Sequence, residues 1–118
     1  MRYLLLIQTD PDGSVSAGPD ERLAAEMSSL LQDMTKAGVL LDTGGLRPVA
    51  EATRLRLANG EQTVIDGPFT ESKEVVGGYC LVQVRSKAEA VEWASRFLAL
   101  HGPEWEMGIE VRQLDEPI

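Results

Sequence analysis

Two stretches of this chain, residues 2–8 and 75–84, read as β-strands with apolar side chains on both faces. In the first, alternation sends Tyr3, Leu5 and Ile7 to one side and Leu4, Leu6 and Gln8 to the other. Such strands need cover on both sides, because a contiguous apolar sheet surface rarely stays in water. The fold must therefore set both segments inside a sheet and place a layer against each of its faces.

Two amphipathic helices provide one layer. The first opens at Pro19-Asp20-Glu21, where proline and acidic residues suit a helix start. Leu23, Met27, Leu30, Leu31 and Met34 form its apolar stripe, and Gly38 is a natural stop. The second opens with the capping box Ser86-Lys87-Ala88-Glu89, buries Ala90, Trp93, Ala94, Phe97 and Leu98, and ends at Gly102-Pro103. Between them lie a strand over residues 39–46 and two short strands, 53–57 and 62–66. Gly44-Gly45 breaks the first of these as a bulge or a close backbone approach. Asn59-Gly60 joins the short pair as a hairpin. Residues 9–19 read as a solvated loop in which Asp10 and Asp12 lack the further ligands that a cation needs. A last strand spans 107–114, and 115–118 form a short free tail.

The order strand, helix, strand with a hairpin insert, strand, helix, strand predicts a ferredoxin-like α+β sandwich, one domain over residues 1–118. Both helices then cover one sheet face, and the first and third sheet strands are central. The other face shows Leu4, Leu6 and Leu81. An isologous homodimer is the expected cover, with a different protein or the 66–74 loop as alternatives.

Composition narrows the partners. A net charge of −8 opposes binding to a phosphate backbone, so no direct contact with nucleic acid is expected. No apolar run approaches the ~20 residues of a membrane span, and the apolar start is too short for a signal peptide. The expectation is a cytoplasmic protein that does not engage membranes. One cysteine, Cys80, excludes an internal disulfide and reads as a buried, inert thiol. With one histidine beside it, no His/Cys metal cluster forms, and no cofactor or metal motif is present.

The densest chemistry lies at Asp66-Gly67-Pro68-Phe69-Thr70-Glu71-Ser72-Lys73-Glu74, followed by Gly77-Gly78-Tyr79. With Arg2-Tyr3-Leu4-Leu5-Leu6-Ile7 near the start and Ile109-Glu110-Val111-Arg112 near the end, this run resembles the DGPF branch of the YCII-related proteins. The resemblance covers nearly the whole chain. It implies a dimeric α+β barrel, two ferredoxin-like units packed sheet to sheet, with a cleft beside the motif loop in each subunit. Some YCII-type proteins are enzymes that use a first-helix histidine and an aspartate. Here residues 20–37 contain no histidine, so that pair is not carried over and catalysis stays open. Many members of the branch are encoded beside extracytoplasmic-function sigma factors.

Asp66, next to glycine and proline, is the candidate acid or base; its competing role is to cap the turn. Phe69 and Lys73 of the motif, with Gln8, Tyr79 and Arg112, are the candidate substrate-binding residues. Alternation places Gln8, Tyr79, Gln83, Glu110 and Arg112 on the sheet face away from the helices, where Glu110 and Arg112 also suit an edge strand facing water or a partner. Lys73 and Glu71 also suit an ion pair within the loop. His101, at the end of the second helix, fits a cationic helix cap. Arg54 and Arg56 are expected in solvent, Trp93 and Trp105 in packing. Two functions follow: a cofactor-independent enzyme of proton-transfer or elimination type acting on a small molecule, or a non-catalytic module binding a ligand or a regulatory protein linked to sigma factors.

Overall fold

The structure is a computed structural model that describes residues 1–9, 20–69 and 74–116. Pro19, Asp10, Asp12, Glu71 and Lys73 lie outside the described residues. The elements run β1 (Arg2–Thr9), α1 (Glu21–Lys36), β2 (Leu40–Gly45), a 3-10 turn (Val49–Glu51), β3 (Thr53–Ala58), β4 (Glu61–Asp66), β5 (Val75–Gln83), α2 (Lys87–Ala99) and β6 (Gly108–Gln113). Four strands form an antiparallel sheet in the order β2-β5-β1-β6, so the doubly apolar strands are the central ones. This mixed α+β arrangement is compatible with a ferredoxin-like fold.

Local chemistry explains the element ends. The Asp20 carboxylate accepts from the Leu23 N–H at the start of α1. At its end Gly38, with φ +73°, donates to Thr35, and Val39 donates to Met34. This is a Schellman closure, and it carries the chain directly into β2. Ser86 caps α2 by accepting from the Glu89 N–H at 3.1 Å. Glu89 returns a bond to the N–H of Arg85, one residue further back than in a reciprocal capping box.

The core lies between the helices and one sheet face. Tyr3, Leu5, Cys80, Val82 and Val84 pack against Leu30 and Met34 of α1 and Ala90 and Ala94 of α2, all at most 5% exposed. Burial of a side chain such as Leu30 contributes roughly 1.5–3 kcal/mol. Among the described residues no helix lies on the opposite face, which carries Leu4, Leu6, Tyr79 and Leu81 by strand register. The molecule is only 18 Å thick along its shortest axis. Its radius of gyration is 16.2 Å, against about 13.5 Å for a compact domain of this length. The β3–β4 hairpin is its own two-stranded sheet, turned by Asn59 (φ 53°) and Gly60 (φ 76°), and leaves Leu55, Leu57 and Val64 at least 65% exposed.

Several sequence expectations need correction. The bulge of β2 falls at Leu41, between Leu40 and Asp42, rather than at Gly44-Gly45; Gly44 instead meets the Tyr79 ring closely. Helix α2 ends at Ala99, where Leu100 and His101 donate to Phe97 and Leu98, so Gly102 is not its stop. The C-terminal segment is not free: Leu114 donates to Arg2, and Glu116 pairs with the Arg2 guanidinium. Arg54 does not simply face solvent; its guanidinium lies over the Phe69 ring at 3.9 Å. No helix among the described residues is long and apolar enough to cross a membrane.

Candidate functional site

A gap in the side chains makes the site. Gly45 of β2 is paired with Gly78 of β5, and Gly78 is paired with Ile7 of β1. All three positions face the helices. A Cβ on Gly45 would meet nothing within 4 Å, whereas one on Gly78 would lie 3.1 Å from the Gly44 carbonyl. One residue further along, the β1–β5 ladder skips a position between Ile7 and Gln8, leaving Gly77 as the extra residue. With so little side-chain bulk on this end of the sheet, the strands do not fill the space beneath the helices. A cavity of about 750 Å³ remains, walled by Met27 and Leu31 of α1, Phe97 of α2, and Trp105. Its size and mainly apolar, aromatic walls suit a small organic molecule.

His101 also lines this cavity. Its Nδ1 lies 3.0 Å from the Phe97 carbonyl. A carbonyl only accepts, so Nδ1 carries the proton, and in the neutral form of this tautomer the lone pair lies on Nε2. The imidazole stands between Phe97, with centroids 5.3 Å apart, and the edge of Trp105, at 5.1 Å. Phe97, His101 and Trp105 thus form one aromatic row along the cavity wall.

The described ends of the motif border the same region and use their residues differently. Asp66 is exposed, and its Oδ1 accepts from Thr53 Oγ1 at 2.9 Å, joining the two strands at the base of the hairpin. Asp66 does not line the cavity. Gly67 donates to the Ala52 carbonyl at 2.7 Å, and a Cβ there would sit 2.1 Å from the Val49 carbonyl. The Gly67–Pro68 peptide is cis. Phe69 lies under Arg54 and lines a second cleft of about 480 Å³, which shares residues 46–49, 75 and 76 with the larger cavity. Asp66, Gly67 and Phe69 therefore fasten the hairpin base to β3 and the 3-10 turn.

The remaining candidates share the face away from the helices. Leu6 pairs with Tyr79 and Glu110, and Leu4 with Leu81 and Arg112. Gln8 Nε2 donates to Glu110 Oε2 at 3.4 Å, and Glu110 Oε1 lies 3.6 Å from Arg112 Nε. Tyr79 donates its phenol to Asp42 Oδ2 at 3.1 Å. That bond, with the carboxylate charge and some desolvation, raises the Tyr79 pKa above its ordinary value. The structure thus brings Gln8, Tyr79 and Arg112 onto one face but separates them from Phe69 and from the helix-side cavity. Cys80 is buried; desolvation raises its pKa, partly offset by Thr43 Oγ1 at 3.3 Å.

The sequence leads to a cleft beside the motif loop but does not reveal the helix-side walls of this cavity or the histidine on them. The signal was present as the four-residue spacing of Phe97, His101 and Trp105, and as glycine pairs in two strands that the topology makes neighbours. Comparison with known proteins gives the family but no reaction. An uncharacterised protein of Rhizobium meliloti (strain 1021) is 34% identical over 96 residues, covering 80% of this chain and 77% of that protein. The pattern of the YCII-related domain matches residues 1–114, and the chain belongs to that family.

Proposed function

We propose that this chain is a homodimeric small-molecule-binding protein whose ligand sits in the cavity beside the motif loop, with cofactor-independent proton-transfer or elimination chemistry as the enzymatic form of that role. The observation that carries the reading is the cavity of about 750 Å³ held open by Gly45 and Gly78. It is closed on one side by aromatic side chains, and the segment after the motif loop, Val75 and Val76, runs along it. In this reading Asp66 braces the hairpin, as its bond to Thr53 favours, and the cavity residues meet the ligand.

The second copy of the chain covers Leu4, Leu6 and Leu81, sheet to sheet, and so completes the dimeric α+β barrel. A thin molecule with one helix layer and two apolar central strands supports this arrangement. A non-catalytic protein-binding module is the alternative, favoured by the exposed Leu55, Leu57 and Val64 on one face of the hairpin. A thermal-shift screen of small aromatic and alicyclic metabolites tests the main reading. The expected hits stabilise the native protein and lose their effect in Gly45→Phe, which fills the cavity. The absence of hits, or hits that survive the filled cavity, overturns it.

A further inference from the structure

We infer that His101 Nε2 is a hydrogen-bond acceptor that selects, for this cavity, flat apolar molecules bearing one weakly acidic O–H, of the phenol or enol class. The inference rests on the cavity being the ligand site and assigns the chemistry of that ligand. Three features support it. First, the tautomer is fixed: with Nδ1–H held by the Phe97 carbonyl at 3.0 Å, the neutral ring offers its lone pair at the other nitrogen. Second, Nε2 has no hydrogen-bond partner among the described residues, although His101 lines the cavity. Third, its surroundings reject strongly charged ligands but accept rings. Phe97 and Trp105 flank the imidazole, and Met27 and Leu31 line the same cavity. An acceptor in such a setting discriminates well, since a ligand without a donor leaves it desolvated and unpaired.

Two of the other polar side chains that line the cavity are already engaged. Thr43 Oγ1 is bonded to the Tyr79 carbonyl at 3.0 Å, and Arg47 is 83% exposed and paired with Glu51 at 3.1 Å. A planar body between the aromatic wall and the glycine floor, with its O–H directed to Nε2, satisfies the histidine and keeps the rest of the ligand in apolar contact.

The test is calorimetric titration of the full-length protein with 4-cyanophenol and with 4-methoxybenzonitrile, which have nearly the same shape and differ in the O–H. The native protein should bind the phenol roughly tenfold more tightly than the ether. His101→Phe, which keeps a ring in the aromatic row, should bring the two affinities together by weakening the phenol alone. Equal affinities in the native protein, or a phenol preference that persists in His101→Phe, overturn the assignment of His101 while ether binding leaves the cavity reading intact. If His101→Phe does not fold, the native ratio decides by itself. Failure of both compounds to bind overturns the cavity reading together with the inference.

Discussion

Gly45 and Gly78 face each other across the β2–β5 ladder on the helix side of the sheet, yet they differ in the room around them. Space is open around Gly45, while the Gly44 carbonyl crowds Gly78. Gly45→Ala should therefore stabilise the protein by about 0.5–1 kcal/mol, the usual cost of glycine in a strand. Gly78→Ala should destabilise it by about 1–3 kcal/mol through overpacking. Urea unfolding of the two variants checks the opposite signs.

Gly67 has no space for a side chain, since a Cβ would press into the Val49 carbonyl at 2.1 Å. Backbone cannot move aside as a flexible side chain does. Gly67→Ala should cost about 3 kcal/mol and loosen the hairpin base. Hydrogen exchange at the amides of β3 and β4 should accelerate in that variant. Unchanged exchange there would contradict the fastening role of the motif.

Tyr79 and Asp42 give a prediction in pH. The folded-state pKa of Tyr79 is raised above 10.0, so the folded state holds the phenolic proton more tightly than the unfolded chain does. The associated stability is fully present below the unfolded pKa and is lost as pH rises through the folded value. Ultraviolet titration of the native protein should show Tyr79 ionising above the ordinary tyrosine range, and Asp42→Asn should bring it back toward that range. An identical titration in both proteins would contradict the hydrogen bond as the cause.

Much of the fold was legible in the sequence because its signals are local and periodic. Alternation in residues 2–8 placed Tyr3 and Leu5 in the core and Leu4 and Leu6 opposite, as the register confirms. Asn59-Gly60 marked the hairpin, and Asp20, Gly38 and Ser86 marked helix ends. The site was less legible because it depends on what long-range pairing brings together. Gly45 and Gly78 lie far apart in the chain, and nothing in either strand alone shows that they open one cavity. The motif alone leaves two roles open for the same reason: Asp66 next to Gly67 and Pro68 reads either as a carboxylate held at a cleft or as a turn cap, and the fold bonds it to Thr53 across the hairpin. His101 reads from the sequence as a cationic helix cap, and the structure sets its Nδ1 against the Phe97 carbonyl at the helix end. What the sequence did not show is that the same ring borders a cavity.

The proposed dimer has its own test at Leu6, which sits on a central strand, on the face opposite the helices. In an isologous interface each substitution counts twice, so Leu6→Asp should weaken association by roughly 3–6 kcal/mol. Light scattering should give twice 12.9 kDa for the native protein and 12.9 kDa for the variant. A native protein that runs as a monomer would remove the sheet-to-sheet assembly from the account.

The division of labour between motif and cavity is tested most directly by one calorimetric comparison, 4-methoxybenzonitrile titrated into Asp66→Asn and into Gly45→Phe. Asp66 braces the hairpin outside the cavity, so Asp66→Asn should bind within about twofold of the native protein, as expected for separated sites. Gly45→Phe, with the cavity filled, should not bind. Binding that persists in Gly45→Phe and disappears in Asp66→Asn would place the ligand at the motif carboxylate and contradict the account.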